Sequence, residues 1–157
     1  MTREDARQMA IQIAWSHLGK PYLWGGDDPI AGMDCSGAVQ EWAYSVGALA
    51  ATVDRTAHGL WLHYQGVVRP APDTGYLVFW WNRDRTRIRH IELCLNDALS
   101  IGASGGGSRT RTRADAVRDN AYIKIRPIQG RGVIAGYVDP FAPEAPWAVA
   151  GTLHTTG

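Results

Sequence analysis

The chain is predicted to be α+β, with helices first and an antiparallel sheet of about five strands after them. Two periodicities carry that expectation. Over the first third of the chain, apolar residues recur at i, i+3, i+4 and i+7, as on one face of a helix. From about Tyr76 the spacing drops to two, with aromatic and β-branched residues, as in strands. The 157 residues make one domain, at roughly 100–200 residues per domain.

Thr2 is placed as an N-cap, with Asp5 as its capping-box partner. Ala6, Met9, Ala10 and Ile13 then form the apolar face of a first helix, and Gly19 stops it. Residues 22–32 are rich in Gly, Asp and Pro and read as a loop. A second helix begins near Cys35, with Val39, Trp42, Ala43 and Val46 as its face and Gly47 at its end. Leu60, Trp61 and Tyr64 space a further helical segment. Strands follow at 76–81, at 90–95 (where Ile91, Leu93 and Leu95 alternate with His90, Glu92 and Cys94), at 99–104, at 122–126 and at 133–138, joined as a meander. The interval 105–118 is glycine-rich and basic and reads as a solvated loop. Three prolines after Asp139 mark residues 140–157 as a peripheral tail or linker, leaving 1–139 as the domain.

Composition excludes several classes of function. Hydrophobic residues are 45% and charged residues 20%, ordinary for a folded chain. Lys+Arg is 16 against Asp+Glu 15, too balanced for a dedicated nucleic-acid binder. No run approaches the ~20 apolar residues of a membrane span, so no membrane partner is expected. The two cysteines, Cys35 and Cys94, make neither a disulfide framework nor a zinc motif, and no metal or cofactor is expected.

The chemistry concentrates in GKPYLWGGDDPIAGMDCSG, residues 19–37. A Gly-rich loop delivers Asp34-Cys35-Ser36-Gly37 onto a helix start. There the unpaired N–H groups and the positive end of the helix dipole favour a negatively charged sulfur. The same N–H groups point where an oxyanion would form. Cys35 is therefore the candidate nucleophile. Asp34 reads equally as the helix N-cap. A nucleophilic cysteine needs a base, and there are five histidines. His17, His58, His63 and His154 lie in or near helices or in the tail. His90 opens a strand on the face opposite Ile91, Leu93 and Leu95. Cys94 is expected to be reduced and inert. Trp61, Trp80 and Trp81 read as core or groove walls, with sugar stacking as the alternative.

These residues resemble the signature of the NlpC-type cell-wall peptidases, papain-like cysteine hydrolases of bacteria and their phages. The resemblance lies in Tyr22, Trp24-Gly25-Gly26 and Asp34-Cys35-Ser36-Gly37, then Arg55-Thr56, the strand Gly75–Phe79, and a histidine strand that begins at His90. It implies hydrolysis of a peptidoglycan stem peptide, often at a γ-D-glutamyl bond to diaminopimelate or lysine. It implies Cys35 as nucleophile, His90 as base, Tyr22 as an oxyanion donor, and Asp34 and Ser36 as ligands of the peptide's amino end. A non-catalytic wall-binding module and an amidase or acyltransferase on the same fold are the alternatives. With no signal peptide visible ahead of the domain, a phage lysin or virion-borne enzyme is the expectation for how it reaches the wall. Exposed Arg109, Arg111 and Arg113, alternating with Thr, are expected to share a face and attract an anionic wall polymer.

One departure from the family pattern is informative. The position reserved for the residue that orients the histidine is Gly102, which has no side chain. A three-residue turn at Asn96–Ala98 pairs Leu95 with Leu99, and so Glu92 with Gly102. In the family a small residue stands two after the histidine; here Glu92 does. The sizes are exchanged across the strand pair. Glu92 shares a face with His90 and is expected to hydrogen-bond its imidazole, with Ser104 or Ser100 as the fallback.

Overall fold

The computed structural model describes residues 1–50 and 54–148. Helix α1 (Arg3–Ser16) starts at the expected capping box: the Thr2 hydroxyl accepts from the Asp5 N–H, and the Asp5 carboxylate accepts from the Thr2 N–H. Its buried stripe is Ala6, Ala10 and Ala14, while Met9 is exposed. Of the expected face, Ala6 and Ala10 are buried and Ile13 packs against the core, and only Met9 falls outside it. A row of alanines lets α1 lie close against α2 (Cys35–Ser45), where a row with Met9 would hold it off. Val39, Trp42, Ala43 and Val46 of α2 and its C-terminal end are buried as expected. His17 caps α1, and its Nδ1 accepts the indole N–H of Trp42 at 3.0 Å, so it ties the two helices together rather than standing in solvent.

Between the helices, β1 (Asp27–Asp28) and β2 (Gly32–Met33) make a minimal hairpin within the expected loop. Helix α3 (Ala57–His63) follows, with Thr56 as its N-cap. The remaining strands are β3 (Val68–Arg69), β4 (Leu77–Trp81), β5 (Ile88–Cys94), β6 (Leu99–Ser104), β7 (Tyr122–Pro127) and β8 (Ile134–Val138). They form one six-stranded antiparallel sheet in the order β3-β8-β4-β5-β6-β7. The simple meander therefore fails at its last step, because β8 joins β4 instead of β7. Pro127 has no N–H to continue a ladder. The chain beyond it crosses the outer face of the sheet and seats Ile128 on Val78, Trp80, Cys94 and Tyr137. That crossing is what covers Cys94. The inner face carries Phe79, Ile91, Leu93, Ile101 and Ile123 against the helices.

Two segments differ from expectation in ways that matter for function. The interval read as a solvated loop contains α4 (Arg113–Asp119), opened by a Thr112–Asp115 capping box and with Ala116 buried. Arg109 and Arg111 precede this helix and Arg113 begins it, so the three do not alternate along an extended face, although all remain exposed. The segment after Asp139 is not peripheral as far as it is described. Phe141, Ala142 and Ala145 are buried, the Arg3 guanidinium donates to the carbonyls of Ala142 (2.7 Å) and Ala145 (3.2 Å), and it lies over Trp147. Pro140 and the alanines thus fill the core margin, while Pro143 and Pro146 are exposed. The end of the tail, with His154, lies outside the described residues. Among the described residues no helix is long and apolar enough to cross a membrane.

Candidate active site

Cys35 is the first residue of α2, and three backbone devices put it there. Asp34 Oδ1 accepts the Gly37 N–H at 2.7 Å and the Ser36 hydroxyl at 3.2 Å, while its Oδ2 accepts the Gly25 N–H at 3.1 Å. The Gly26 carbonyl accepts the Asp34 N–H at 2.9 Å and crosses the helix so closely that a Cβ on Gly37 would collide with it. Gln40, one turn into the helix, bonds both backbone groups of Arg55 and fixes the start of the α3 segment beside Cys35. Asp34 is thus a helix cap, and Ser36 is joined to it.

His90 enters from β5. It lines the same cleft as Cys35, which is the first of the groups that favour its charged form, and its Nε2 lies 2.6 Å from Glu92 Oε2. With Nε2 given to Glu92, Nδ1 is the nitrogen left for Cys35. The pairing of Leu93 with Ile101 and Cys94 with Ser100 is the register expected from the turn. Gly102 accordingly sits under Glu92: a Cβ there would come within 2.5 Å of Glu92 Cγ. The exchange of sizes inferred from the sequence is physically required at this spot.

Glu92 is fully buried and every lone pair is used. Arg131 donates to both oxygens, at 2.6 and 3.0 Å, and Ser100 Oγ donates to Oε1 at 2.8 Å. The Arg131 guanidinium also lies 4.8 Å over the Trp80 ring, which itself stands beside His90. Burial alone would raise the Glu92 carboxyl, but the hydrogen bonds and charges of His90 and Arg131 outweigh it and hold the group well below the usual carboxylate range. Burial likewise opposes a charged His90, yet Cys35 and Glu92 carry its value above that of free histidine. The two shifts agree: the arrangement favours an imidazolium clamped to a carboxylate.

Tyr22 is buried, with its ring against Gly106, and lines the same cleft as Cys35, Asp34, Ser36 and His90. Burial first, then the nearby Cys35 and Asp34, push its phenol far above its usual value, so it stays protonated and able to donate. The cleft encloses about 1020 Å³, ample for several residues of a peptide. His58 and His63 do not line it; His58 Nδ1 accepts the Ile88 N–H at 3.1 Å and steadies the start of β5. Trp80 is buried and Trp61 packs on Phe79, so both serve as walls.

Arg131 is the residue sequence reading missed. Its one legible signal is an arginine between two glycines after a strand, Gly130-Arg131-Gly132. Nothing local says that this arginine, rather than another, answers a glutamate 39 residues earlier.

Comparison with known proteins is consistent with this geometry. The model described as "NlpC/P60 family" matches residues 19–127. The chain belongs to the NlpC/P60 family. It is similar to the gamma-DL-glutamyl hydrolase of Bacillus subtilis, 34% identical over 159 residues, covering 94% of this chain and 37% of that protein. It is also similar to the probable endopeptidase YafL of Escherichia coli, 33% identical over 106 residues, covering 66% of this chain and 42% of that one. The chain thus spans less than half the length of these curated relatives. Among solved structures, the peptidoglycan hydrolase RipB of Mycobacterium tuberculosis superposes with a TM-score of 0.64 at 22% identity, over 87% of this chain and 65% of that one. That likeness is one of fold.

Proposed function

We propose that this NlpC/P60 chain is a cysteine endopeptidase that cleaves peptidoglycan stem peptides, at a γ-D-glutamyl bond to diaminopimelate or lysine. The observation that supports this best is the placement of Cys35, at the start of α2, on one peptide-sized cleft with His90, whose imidazole is hydrogen-bonded to Glu92. The names of its relatives, a gamma-DL-glutamyl hydrolase and a muramidase/DL-endopeptidase, point to the same bond.

Cys35 Sγ, giving its proton to His90, attacks the scissile carbonyl carbon. The oxyanion that forms is held by the Cys35 backbone N–H at the start of α2 and by the Tyr22 hydroxyl. His90 passes the proton to the leaving amine as the carbon–nitrogen bond breaks, leaving a thioester on Cys35. Water then attacks with His90 as base, releasing the carboxylate and restoring the thiol. Glu92 orients the imidazole and stabilises its charged form, the task of a triad's third member. Asp34 and Ser36, joined in the helix cap on the cleft wall, are proposed to bind the amino end of the stem peptide as well. Arg109, Arg111 and Arg113, exposed at one side, are proposed to draw the domain to anionic wall polymer.

Mass spectrometry of fragments released from purified muropeptides tests the reading. New amine and carboxyl ends at the γ-glutamyl bond are expected, and Cys35→Ala should abolish their appearance while leaving thermal unfolding cooperative. Fragments cut elsewhere, or undiminished release by Cys35→Ala, would overturn it.

A further inference from the structure

Five arginines line the cleft, Arg55, Arg87, Arg89, Arg126 and Arg131, and of these Arg126 plays no part in the chemistry above yet is anchored in place. Arg126 lies on β7 opposite Ser100, on the outer face of the sheet, but its guanidinium does not stay at that level. Nη1 donates to Ser104 Oγ at 2.8 Å, nearer the end of β6 that faces the cleft. The register that pairs Leu93 with Ile101 and Cys94 with Ser100 brings Ser104 level with His90. The guanidinium therefore stands one strand away from His90, and Arg126, Ser104, His90 and Cys35 line the same cleft.

Among the described residues the arginines on the cleft outnumber its lining carboxylates, Asp34 and Asp54, and Asp54 accepts from Gln40 Nε2 at 3.3 Å. Lys124 shares the outer face of β7 with Arg126, and its ammonium reaches Gly105 at the cleft rim. That ammonium is held below its ordinary value by burial first, then by the positive charges of Arg126 and Arg131, with Glu92 as the opposing charge. Yet Glu92 is taken by Arg131, Ser100 and His90. Asp34 is taken by Gly25, Ser36 and Gly37. Among the described residues the side chain of Arg126 bonds a neutral hydroxyl and no carboxylate. A planar fork of donors, anchored at one corner and turned into a substrate cleft, is matched to a carboxylate.

We propose that Arg126, anchored by Ser104, is a carboxylate-binding subsite, and that the cleft selects peptides with a free carboxylate close to the scissile bond. This rests on the peptidase reading above. In a γ-glutamyl-linked stem two groups offer that chemistry: the α-carboxylate of the γ-linked glutamate, and the side-chain carboxylate that diaminopimelate has and lysine lacks.

The test uses the full chain and four synthetic stem peptides: free diaminopimelate, amidated diaminopimelate, lysine, and free diaminopimelate with the glutamate α-carboxylate amidated. For wild type, kcat/KM should fall roughly 10- to 100-fold when the recognised carboxylate is blocked, the scale of a charge-assisted hydrogen bond. Loss with both amidated diaminopimelate and lysine marks the diamino acid as the source; loss with the glutamate amide marks the glutamate. Arg126→Gln should close the gap between free and blocked peptides, Arg126→Lys should narrow it, and Ser104→Ala, which frees the anchor but keeps the charge, should narrow it as well. Equal rates on all four peptides, or an Arg126→Gln loss of the same factor on each, would remove the subsite and leave the peptidase intact. No cleavage of any peptide by wild type would remove the peptidase reading itself, and the subsite with it.

Discussion

At the scale of single residues, the consequences follow from burial and charge. Cys35 is partly exposed in the cleft, while Cys94 is fully buried under Val78, Trp80 and Ile128. Burial first, and then the negative charges of Glu92 and Asp73, push the Cys94 thiol far above its usual value. Iodoacetamide should therefore label Cys35 well before Cys94 in the folded protein, and equal rates would contradict the assignment. Against the opposing effect of burial, His90 is raised by Cys35 first and then Glu92, and Glu92 is depressed by His90 first and then Arg131. Glu92→Gln removes the charge that favours the imidazolium. His90 should then lose its proton at lower pH, the alkaline limb of kcat/KM should move down, and turnover should fall on the order of 100-fold, the scale of an acid–base group. An unmoved limb would show that Glu92 only fills space. The linkage has a definite sign. The depressed Glu92 gives stability that is complete above the pKa of an unfolded glutamate and is lost as pH falls through the folded value. The raised His90 gives stability that is complete below the unfolded histidine value and is lost as pH rises through the folded one. Thermal unfolding followed across pH should show a neutral maximum that flattens on the alkaline side in His90→Ala.

At the scale of elements, the site depends on two close approaches and one crossing. Gly102 makes room on β6 for Glu92 on β5. Gly102→Ala should therefore destabilise by ~1–3 kcal/mol, as overpacking does, and lose activity because Glu92 is displaced from His90. The residues beyond β7 bring Arg131 over the outer face, where its pair with Glu92 is almost fully buried. Arg131→Gln should cost about 3–5 kcal/mol, because a charge is left buried without its partner. Arg131→Lys should recover part of this, since an ammonium meets the charge but not the fork geometry. Denaturant titration of both variants gives the comparison, and equal stability of Arg131→Gln and wild type would show that the clamp is dispensable.

At the scale of the whole molecule, the segment that follows β8 returns to the first helix. Arg7 on α1 holds Asp139 through two hydrogen bonds of 3.0 and 3.1 Å, and Arg3 holds the carbonyls of Ala142 and Ala145. The segment after β8 thus laces α1 to the sheet. Removing residues 140–157 should uncover Phe141's site, worth about 1.5–3 kcal/mol for a buried aromatic, and lower Tm by several degrees; a linker would leave Tm unchanged. Replacing Arg109, Arg111 and Arg113 together should weaken activity on whole walls most at low salt, with little effect on a short neutral muropeptide. A loss independent of salt would place the three arginines in folding or chemistry.

How much of this was legible varies with the range over which each cause acts. Caps, helix stripes and glycine stops are set by neighbours within a turn, so the Thr2 box, the placement of Asp34 and Cys35 at the start of α2 and the face of Val39, Trp42, Ala43 and Val46 could be read directly. The three-residue turn at Asn96–Ala98 fixes a register. From that register the meeting of Glu92 with His90 above Gly102 was read across two strands. The Thr112–Asp115 box of α4 was equally local but was masked by the surrounding glycines and arginines. What no local rule contains is the path of the chain after Pro127. Only the tertiary structure decides that β8 crosses to β4, that Ile128 seals Cys94, that Arg131 is the cation for Glu92, and that the segment after Asp139 is held to α1 by Arg3 and Arg7. Each of these joins residues far apart in sequence. Their energy comes from desolvation and charge pairing that exist only once the sheet and helices have closed around them.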